Sequence, residues 1–190
     1  MNVITTTMMD TSTYETLMRV ARGDGNDVAM AQMYDSWMGG KGALPNWMGL
    51  ESGLFQESLR YHFVGMLVEP GIRPGALDED RAWERDDLSK LLVENRAWQS
   101  RSELWVADII CAACMGADHL WQDLGLWSRK DLSALMERNF PALAVRNDKN
   151  MKWKKFLYKQ LCDAEGIYVC RSPSCEVCVD YAVCFAPEER

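Results

Sequence analysis

Apolar residues recur along this chain mostly at helical spacing, whereas the alternating runs rich in Val, Ile and Thr that mark strands are nearly absent. Glycine-rich breakers separate the apolar periods in the first half, and the periods are more regular in the second half. Helices are predicted over residues 12–22, 27–38, 49–66, 86–98, 100–115, 118–124, 128–140 and 151–164. Helices of this length with short connections favour an all-α fold, a compact helical bundle.

Capping residues indicate where several of these helices begin. Ser100 followed by Glu103 has the form of a capping box, and Ser128 is a typical N-cap residue for the helix after it. Pro141 is interpreted as a turn. In the helix over 100–115, the apolar face is expected to carry Leu104 together with Ala107, Ile110 or Cys111, and Cys114.

The last predicted helix carries an apolar stripe and a separate set of lysines. The stripe comprises Trp153, Phe156, Leu157, Leu161 and Ala164, and the lysines expected on another face are Lys152, Lys155 and Lys159. Beyond Gly166 the helical pattern stops, because prolines and closely spaced cysteines cannot form a useful apolar face. We therefore predict a single helical domain over 14–190, with an irregular cysteine ligand loop at 166–190 and a disordered stretch at 1–13.

The composition is that of a folded protein whose core does not depend on a metal. The chain has 190 residues, of which 48% are hydrophobic, enough for one domain with a substantial core. A net charge of -7 argues against nucleic acid as the main partner, since phosphate contacts need clustered positive charge. No long apolar run and no signal peptide are visible, so we expect a cytoplasmic protein with reduced thiols and no membrane contact.

Cysteine is the residue type that points to chemistry. The chain has seven cysteines, an odd number that fits poorly with a closed set of disulfides. Four of them follow a C-x4-C-x2-C-x5-C pattern, at Cys170, Cys175, Cys178 and Cys184. Thiolates so close together suit zinc or an iron–sulfur cluster, and hard cations are poor matches. The C-x4-C-x2-C run also occurs in plant-type ferredoxins, so a cluster is favoured, with zinc or disulfides as the alternatives.

The remaining candidate ligands lie in predicted helices. Cys111 and Cys114 form a second CxxC, but both fall on an apolar helix face, where buried inert thiols are expected. His62 is expected to be packed or at the surface. His119 and Asp123 share a helix face at i, i+4 spacing. That pair fits either a metal ligand with an orienting carboxylate or structural hydrogen bonds at a helix start.

Three sequence blocks resemble the NifQ family, the molybdenum-handling proteins of nitrogen fixation. They are the histidine block (residues 118–126, DHLWQDLGL), the lysine block (residues 150–158, NMKWKKFLY) and the cysteine tail ending CFAPEE at 184–189. The resemblance covers roughly residues 88–189. It implies a carrier of a molybdenum–iron–sulfur cluster that passes molybdenum toward assembly of the nitrogenase iron–molybdenum cofactor. By the same resemblance, the recipients are the nitrogenase iron protein and the cofactor-assembly scaffold, and the cluster ligands are Cys170, Cys175, Cys178 and Cys184.

Further residues are candidates for loading the metal centre. Molybdenum arrives as the oxyanion molybdate, so a nearby basic surface would help to recruit it or to dock a partner. The residues proposed for this role are Lys152, Lys155, Arg171 and Arg129. His119 is a candidate non-sulfur ligand or proton donor. No nucleophile–base motif is visible, so we expect no enzyme activity; a ferredoxin-like electron carrier and a zinc-stabilised interaction module are the alternative functions.

Overall fold

The computed structural model of the chain describes residues 2–3, 12–67, 82–148 and 150–165. Helices form most of this part of the chain: α1 (Thr13–Arg19), α2 (Asp27–Met38), α3 (Ser52–His62), α4 (Ala82–Glu94), α5 (Ser102–Cys114), α6 (Leu120–Asp123), α7 (Arg129–Asn139), α8 (Pro141–Arg146) and α9 (Trp153–Glu165). A short parallel pairing joins β1 (Asn2–Val3) to β2 (Met66–Leu67). The predicted all-α fold is confirmed. The predicted ligand loop at 166–190 lies outside the described residues.

Capping residues and helix breakers in the sequence predicted some helix ends correctly and others incorrectly. α2 has the predicted bounds, and the Ser128 hydroxyl accepts the Asp131 N–H at 3.2 Å, as an N-cap should. At α5 the Glu103 carboxylate accepts the Ser100 N–H at 3.1 Å, but the helix begins at Ser102. The turn predicted at Pro141 is wrong, because this proline begins α8, where its missing N–H costs nothing.

α5 is the central helix of the core. Cys111 and Cys114 are fully buried, which confirms the prediction of buried thiols. Burial raises the pKa of the Cys111 thiol well above its usual value, so this thiol stays protonated and unreactive. Leu104 was predicted on the apolar face but is 39% exposed. It lies between Arg101 and Asp108 on the one strip of α5 that other helices leave uncovered.

α9 is held against the body along the predicted apolar stripe. The side chains of Trp153, Phe156, Leu157 and Leu161 are all buried. The Tyr158 hydroxyl donates to Glu84 Oε2 of α4 at 3.1 Å, and Trp153 Nε1 donates to the Ser133 hydroxyl of α7 at 3.2 Å. The helix that leads toward the cysteine tail is therefore fixed at both of these contacts. Within the described ranges, every helix is too short or too polar to cross a membrane.

A reciprocal pair of side-chain amides connects the first half of the chain to the second. Asn26 Nδ2 donates to Asn139 Oδ1 at 2.7 Å, and Asn139 Nδ2 donates to Asn26 Oδ1 at 2.9 Å. Asn26 Nδ2 also lies 3.1 Å from the Ser102 hydroxyl. Both amides are buried, so this pairing satisfies groups that would otherwise oppose packing of the start of α2 against α7.

Candidate functional site

The histidine block and the lysine block pack against each other around one buried ion pair. Lys154, in the first turn of α9, donates to the Asp123 carboxylate at the end of α6. Its ammonium also donates to the carbonyl oxygens of Gly116 and Asp118, at 3.0 and 2.8 Å. All three protons of the ammonium are thus used. Asp123 is only 2% exposed, so the two blocks are joined by a charge pair shielded from water.

The connection between α5 and α6 is shaped to receive this carboxylate. A Cβ atom on Gly116 would lie 2.5 Å from Asp123 Cγ, so only glycine leaves room at this position. The Asp118 N–H adds a long contact of 3.4 Å to Asp123 Oδ1. Burial raises the pKa of Asp123, and the charge of Lys154 opposes that rise. The carboxyl group therefore depends on Lys154 to remain ionised in this environment.

His119 lies at the edge of this cluster. It is the N-cap residue of α6, partly exposed, and its backbone N–H lies 3.3 Å from Gln122 Oε1. The Asp123 carboxylate, considered as the partner of His119 from their i, i+4 spacing, contacts Lys154 and the Asp118 N–H. The role of His119 as a metal ligand or proton donor stays a prediction.

The other predicted site residues fall into two groups. Lys155 lies in the first turn of α9 with Lys154, and Lys152 directly precedes the helix. Lys152 is only 6% exposed, and the Lys155 ammonium nitrogen is also buried. Arg129 is the first residue of α7 and is partly exposed. Cys170, Cys175, Cys178, Cys184 and Arg171 lie outside the described residues. The structure therefore places the two predicted lysines at the start of α9, and the four predicted cluster ligands lie outside the described residues.

A second buried polar cluster joins α2, α3 and α5 around His62. Its Nδ1 lies 2.7 Å from Asp27 Oδ1, and its Nε2 lies 2.8 Å from the Ser102 hydroxyl. These hydrogen bonds connect Ser102, His62 and Asp27 in the same order as in a hydrolase triad. All three side chains are buried, however, so a substrate cannot reach the serine. The arrangement therefore stabilises the fold.

The same cluster offers a possible cation site. One ligand atom from each of Asp24, Asp27 and His62 lies within 4.8 Å of the other two. These atoms already have partners: Asp24 Oδ2 accepts the hydroxyls of Ser100 at 2.7 Å and Tyr61 at 3.1 Å, and His62 is bonded to Asp27. A cation would have to displace these hydrogen bonds, so we assign the cluster to structure.

The His62 cluster makes stability depend on pH. Burial lowers the pKa of His62, against the opposing influence of Asp27 and Asp24. The unfolded chain, in which histidine titrates near pH 6.5, therefore binds more protons than the folded chain in this range. We expect the free energy of unfolding to be highest above about pH 6.5 and to fall below it, by up to about 1.4 kcal/mol per pH unit.

Urea denaturation of the wild type between pH 7.5 and 5.5 measures this dependence, since the window lies above the range of ordinary carboxyl groups. A His119→Gln variant, which removes the other histidine, should retain the decline. A free energy of unfolding that stays level across the window would contradict the assignment to His62.

Neither of the two buried clusters was predicted as a site from the sequence. A signal for Lys154 existed: it shares a helical stripe with Leu157 and Leu161, at i, i+3 and i+7. His62 likewise continues the stripe of Phe55 and Leu59. A charged or titratable residue at a buried stripe position indicates a partner of opposite charge elsewhere in the core.

The fold and the site define an all-α protein in which a buried lysine–aspartate pair anchors the helix that leads toward a four-cysteine motif. The NifQ family model matches residues 29–186, and the chain belongs to that family, whose members take part in nitrogen fixation and molybdenum processing. The match begins well upstream of residue 88, where the resemblance noted from the sequence began. α3, and α2 from residue 29 onward, thus lie in the family region as well.

Individual relatives support this membership. The chain is 40% identical to Protein NifQ of Azotobacter vinelandii over 185 residues, which cover 92% of this chain and 95% of the relative. It is 38% identical to Protein NifQ of Rhodobacter capsulatus over 162 residues, covering 84% and 87%. Identity to the Protein NifQ homolog of Sinorhizobium fredii is 46% over 143 residues, covering 73% and 62%. No solved structure matches the chain significantly.

Proposed function

We propose that this protein binds a molybdenum–iron–sulfur cluster and delivers its molybdenum for biosynthesis of the nitrogenase iron–molybdenum cofactor. The observation that carries the proposal is the C-x4-C-x2-C-x5-C motif at Cys170, Cys175, Cys178 and Cys184, in a chain of the NifQ family. Closely spaced thiolates are the preferred ligands of iron–sulfur clusters and of other soft metals. The cluster is cargo, so the protein acts in the cytoplasm as a carrier and not as an enzyme.

The described body suits a carrier because its core is formed by packed apolar side chains of the helices. Its core is a continuous set of buried apolar side chains in α2, α3, α5, α7 and α9. α9, which precedes the cysteine motif, is fixed through Lys154 to Asp123 and through Tyr158 to Glu84. Release of the cluster to a partner would therefore leave these contacts intact. The proposed recipients are the nitrogenase iron protein and the cofactor-assembly scaffold.

Loading of the cluster requires molybdate to approach the thiolates. We assign this recruitment to Lys152, Lys155, Arg171 and Arg129, because their positive charges would attract an anion to a chain whose net charge is -7. His119 lies at the start of α6, beside the loop that Lys154 contacts. It is a candidate ligand or proton donor during loading. Its replacement by alanine should lower molybdenum content without changing the fold.

The metal and sulfide content of the protein tests the proposal. Protein purified without oxygen from cells supplied with molybdate should contain iron, sulfide and molybdenum together. A Cys175→Ala, Cys178→Ala double variant should lose all three, by at least about tenfold, because both thiolates of the short C-x2-C segment are removed. Cys162→Ala is the matched control, since Cys162 is a buried cysteine of α9 outside the four-cysteine motif and its replacement should leave the content unchanged.

Other metal contents would redirect the proposal. Iron and sulfide without molybdenum would favour a ferredoxin-like electron carrier, which a reversible reduction of the cluster would then support. A colourless protein with one tightly bound zinc would overturn the cluster and favour a zinc-stabilised interaction module.

A further inference from the structure

We propose that the Trp98 loop (residues 95–101, NRAWQSR) docks an acidic protein partner, with the Trp98 ring as the apolar anchor and Arg96 and Arg146 as the charged contacts. That this partner is a recipient of molybdenum rests on the proposed function. The docking surface itself follows from the exposure, backbone conformation and charge of described residues. No residue of the loop belongs to the histidine block, the lysine block or the cysteine motif.

The indole ring of Trp98 is displayed to solvent. Its residue is 70% exposed, so the ring does not fill a space in the core. The guanidinium carbon of Arg96 lies 3.5 Å from the ring centroid, a cation–π contact that restricts the orientation of the ring. Tryptophan and arginine are the residue types that most often dominate the binding energy of protein interfaces.

The backbone of Trp98 adopts a conformation that suits a smaller residue. Its φ is +60°, in the left-handed region, where a bulky side chain is an outlier and glycine or asparagine is tolerated. Strained residues persist where the surrounding structure over-determines them, and they cluster at functional sites. A tryptophan here costs the fold stability and buries little surface in return, so its benefit lies in contact with another molecule.

The buried Glu103 carboxylate holds the loop in this conformation. It accepts the backbone N–H groups of Trp98 at 2.9 Å, Gln99 at 2.8 Å and Ser100 at 3.1 Å. The Ser100 hydroxyl also donates to Asp24 Oδ2 at 2.7 Å. Four hydrogen bonds to two carboxylates therefore fix the loop before a partner arrives. Such pre-organisation reduces the entropy that is lost on binding.

Positive charge accompanies the ring. The loop contains two arginines and no acidic residue. In the described part of the chain, the buried Nε of Arg96 has no hydrogen-bond partner. Arg146 of α8 donates to the neutral side-chain oxygens of Asn95 at 2.6 Å and of Gln160 at 3.1 Å. These contacts orient the Arg146 guanidinium beside the loop and leave its charge available to a carboxylate of a partner.

The partner that fits this surface is a protein with carboxylates beside an apolar pocket. Because the net charge of the chain is -7, an acidic partner is repelled by the chain as a whole and attracted at this face, which fixes the orientation of docking. Arg101, at the end of the loop, already pairs with Glu57 at 2.7 Å and is not part of the contact. Two arginines are too few for a nucleic acid, which needs many phosphate contacts.

Isothermal titration calorimetry of the full-length protein with each proposed recipient, separately purified, tests the surface. Trp98→Asn should weaken binding to at least one recipient by at least about tenfold, the effect of removing an anchor residue. Trp127→Asn is the matched control and should bind as the wild type does, because Trp127 is also exposed, at 51%, but stacks on Tyr14 of α1. Equal affinities of Trp98→Asn and the wild type would overturn the docking surface.

Thermal unfolding separates docking from folding. Trp98→Asn should melt at the temperature of the wild type or above it, because asparagine tolerates the left-handed conformation. A variant that melts well below the wild type would show that the fold needs the ring, and would overturn its assignment to a partner.

The salt dependence of binding tests the charge of the partner. The affinity of the wild type should fall as ionic strength rises, and Arg96→Gln should bind more weakly and with a smaller salt dependence. An affinity of the wild type that does not change with salt would overturn the acidic partner. Self-association of the wild type that Trp98→Asn abolishes would replace that partner with a second copy of the chain.

Failure of this inference is distinguishable from failure of the proposed function. Protein that carries molybdenum with iron and sulfide, but binds its recipients independently of Trp98, would overturn the inference alone. Protein that never contains molybdenum, but binds a recipient through Trp98, would overturn the proposed function alone. Wild-type protein that binds neither recipient would overturn the assigned partner.

Discussion

Replacing Asp123 with alanine is expected to lower the free energy of unfolding by about 3–5 kcal/mol, the cost of leaving a buried charge without its partner. The variant would leave the Lys154 ammonium in a site shielded from water, with only the carbonyl oxygens of Gly116 and Asp118 to bind it. It would also weaken the connection between the histidine block and the lysine block, which this ion pair joins. Chemical denaturation followed by far-UV circular dichroism measures the change.

Two further variants make this prediction specific. Asp118→Ala removes an exposed side chain and keeps the backbone carbonyl that Lys154 contacts. Its effect on the free energy of unfolding should therefore stay within about 0.5 kcal/mol. Replacing both partners, by Asp123→Leu with Lys154→Met, should recover much of the loss, because no buried charge remains. If Asp123→Ala costs no more than Asp118→Ala, the ion pair does not join the two blocks in solution.

His62→Ala is expected to have an effect of similar size in the second cluster, about 3–5 kcal/mol. It leaves the Asp27 carboxylate buried, removes the hydrogen bond to the Ser102 hydroxyl and opens a cavity between α2, α3 and α5. Urea denaturation at pH 7.5, where the histidine of the wild type is neutral, is the measurement. His119→Ala, at a partly exposed position, is the matched control and should cost much less.

A double-variant cycle separates the His62–Asp27 contact from the cavity. Asp27→Asn keeps the volume of the side chain and removes its charge, so a coupling free energy of about 1–3 kcal/mol between the two positions is expected. Additive losses would mean that His62 contributes only by filling space. The decline in stability at low pH should persist in that case, because burial is what lowers the pKa of His62.

The regular parts of the fold could be predicted because their signals are local. α2 lies between glycine-rich breakers, and Ser128 caps α7 within three residues of its partner Asp131. α8 could not be placed this way, since Pro141 is compatible both with a turn and with the first position of a helix. The exposure of Leu104 was not predicted, because a central helix is apolar on nearly every side and its sequence does not show which side is uncovered.

The pairing of charged residues could not be predicted from local sequence. Asp123 was considered as a partner for His119, four positions away, whereas its partner Lys154 is 31 positions away. His62 likewise bonds to Asp27 and Ser102, at separations of 35 and 40. The helical periodicity of apolar residues indicates that such charged or titratable positions are buried. It does not indicate which group from another helix contacts them. The spacing of the tail cysteines can be read from the sequence alone, and their role as cluster ligands stays a prediction.

The amide pair of Asn26 and Asn139 joins positions 113 residues apart, and this separation bears on how the chain folds as it is synthesised. The ribosome releases the chain from its N-terminus, so α2 is free well before α7 exists. Until then the Asn26 amide lacks its partner Asn139, and hydration of the unpaired amide groups opposes closure of the core around α2. A nascent chain arrested before Asn139 therefore lacks the native core, and folding is completed only after most of the protein has been made.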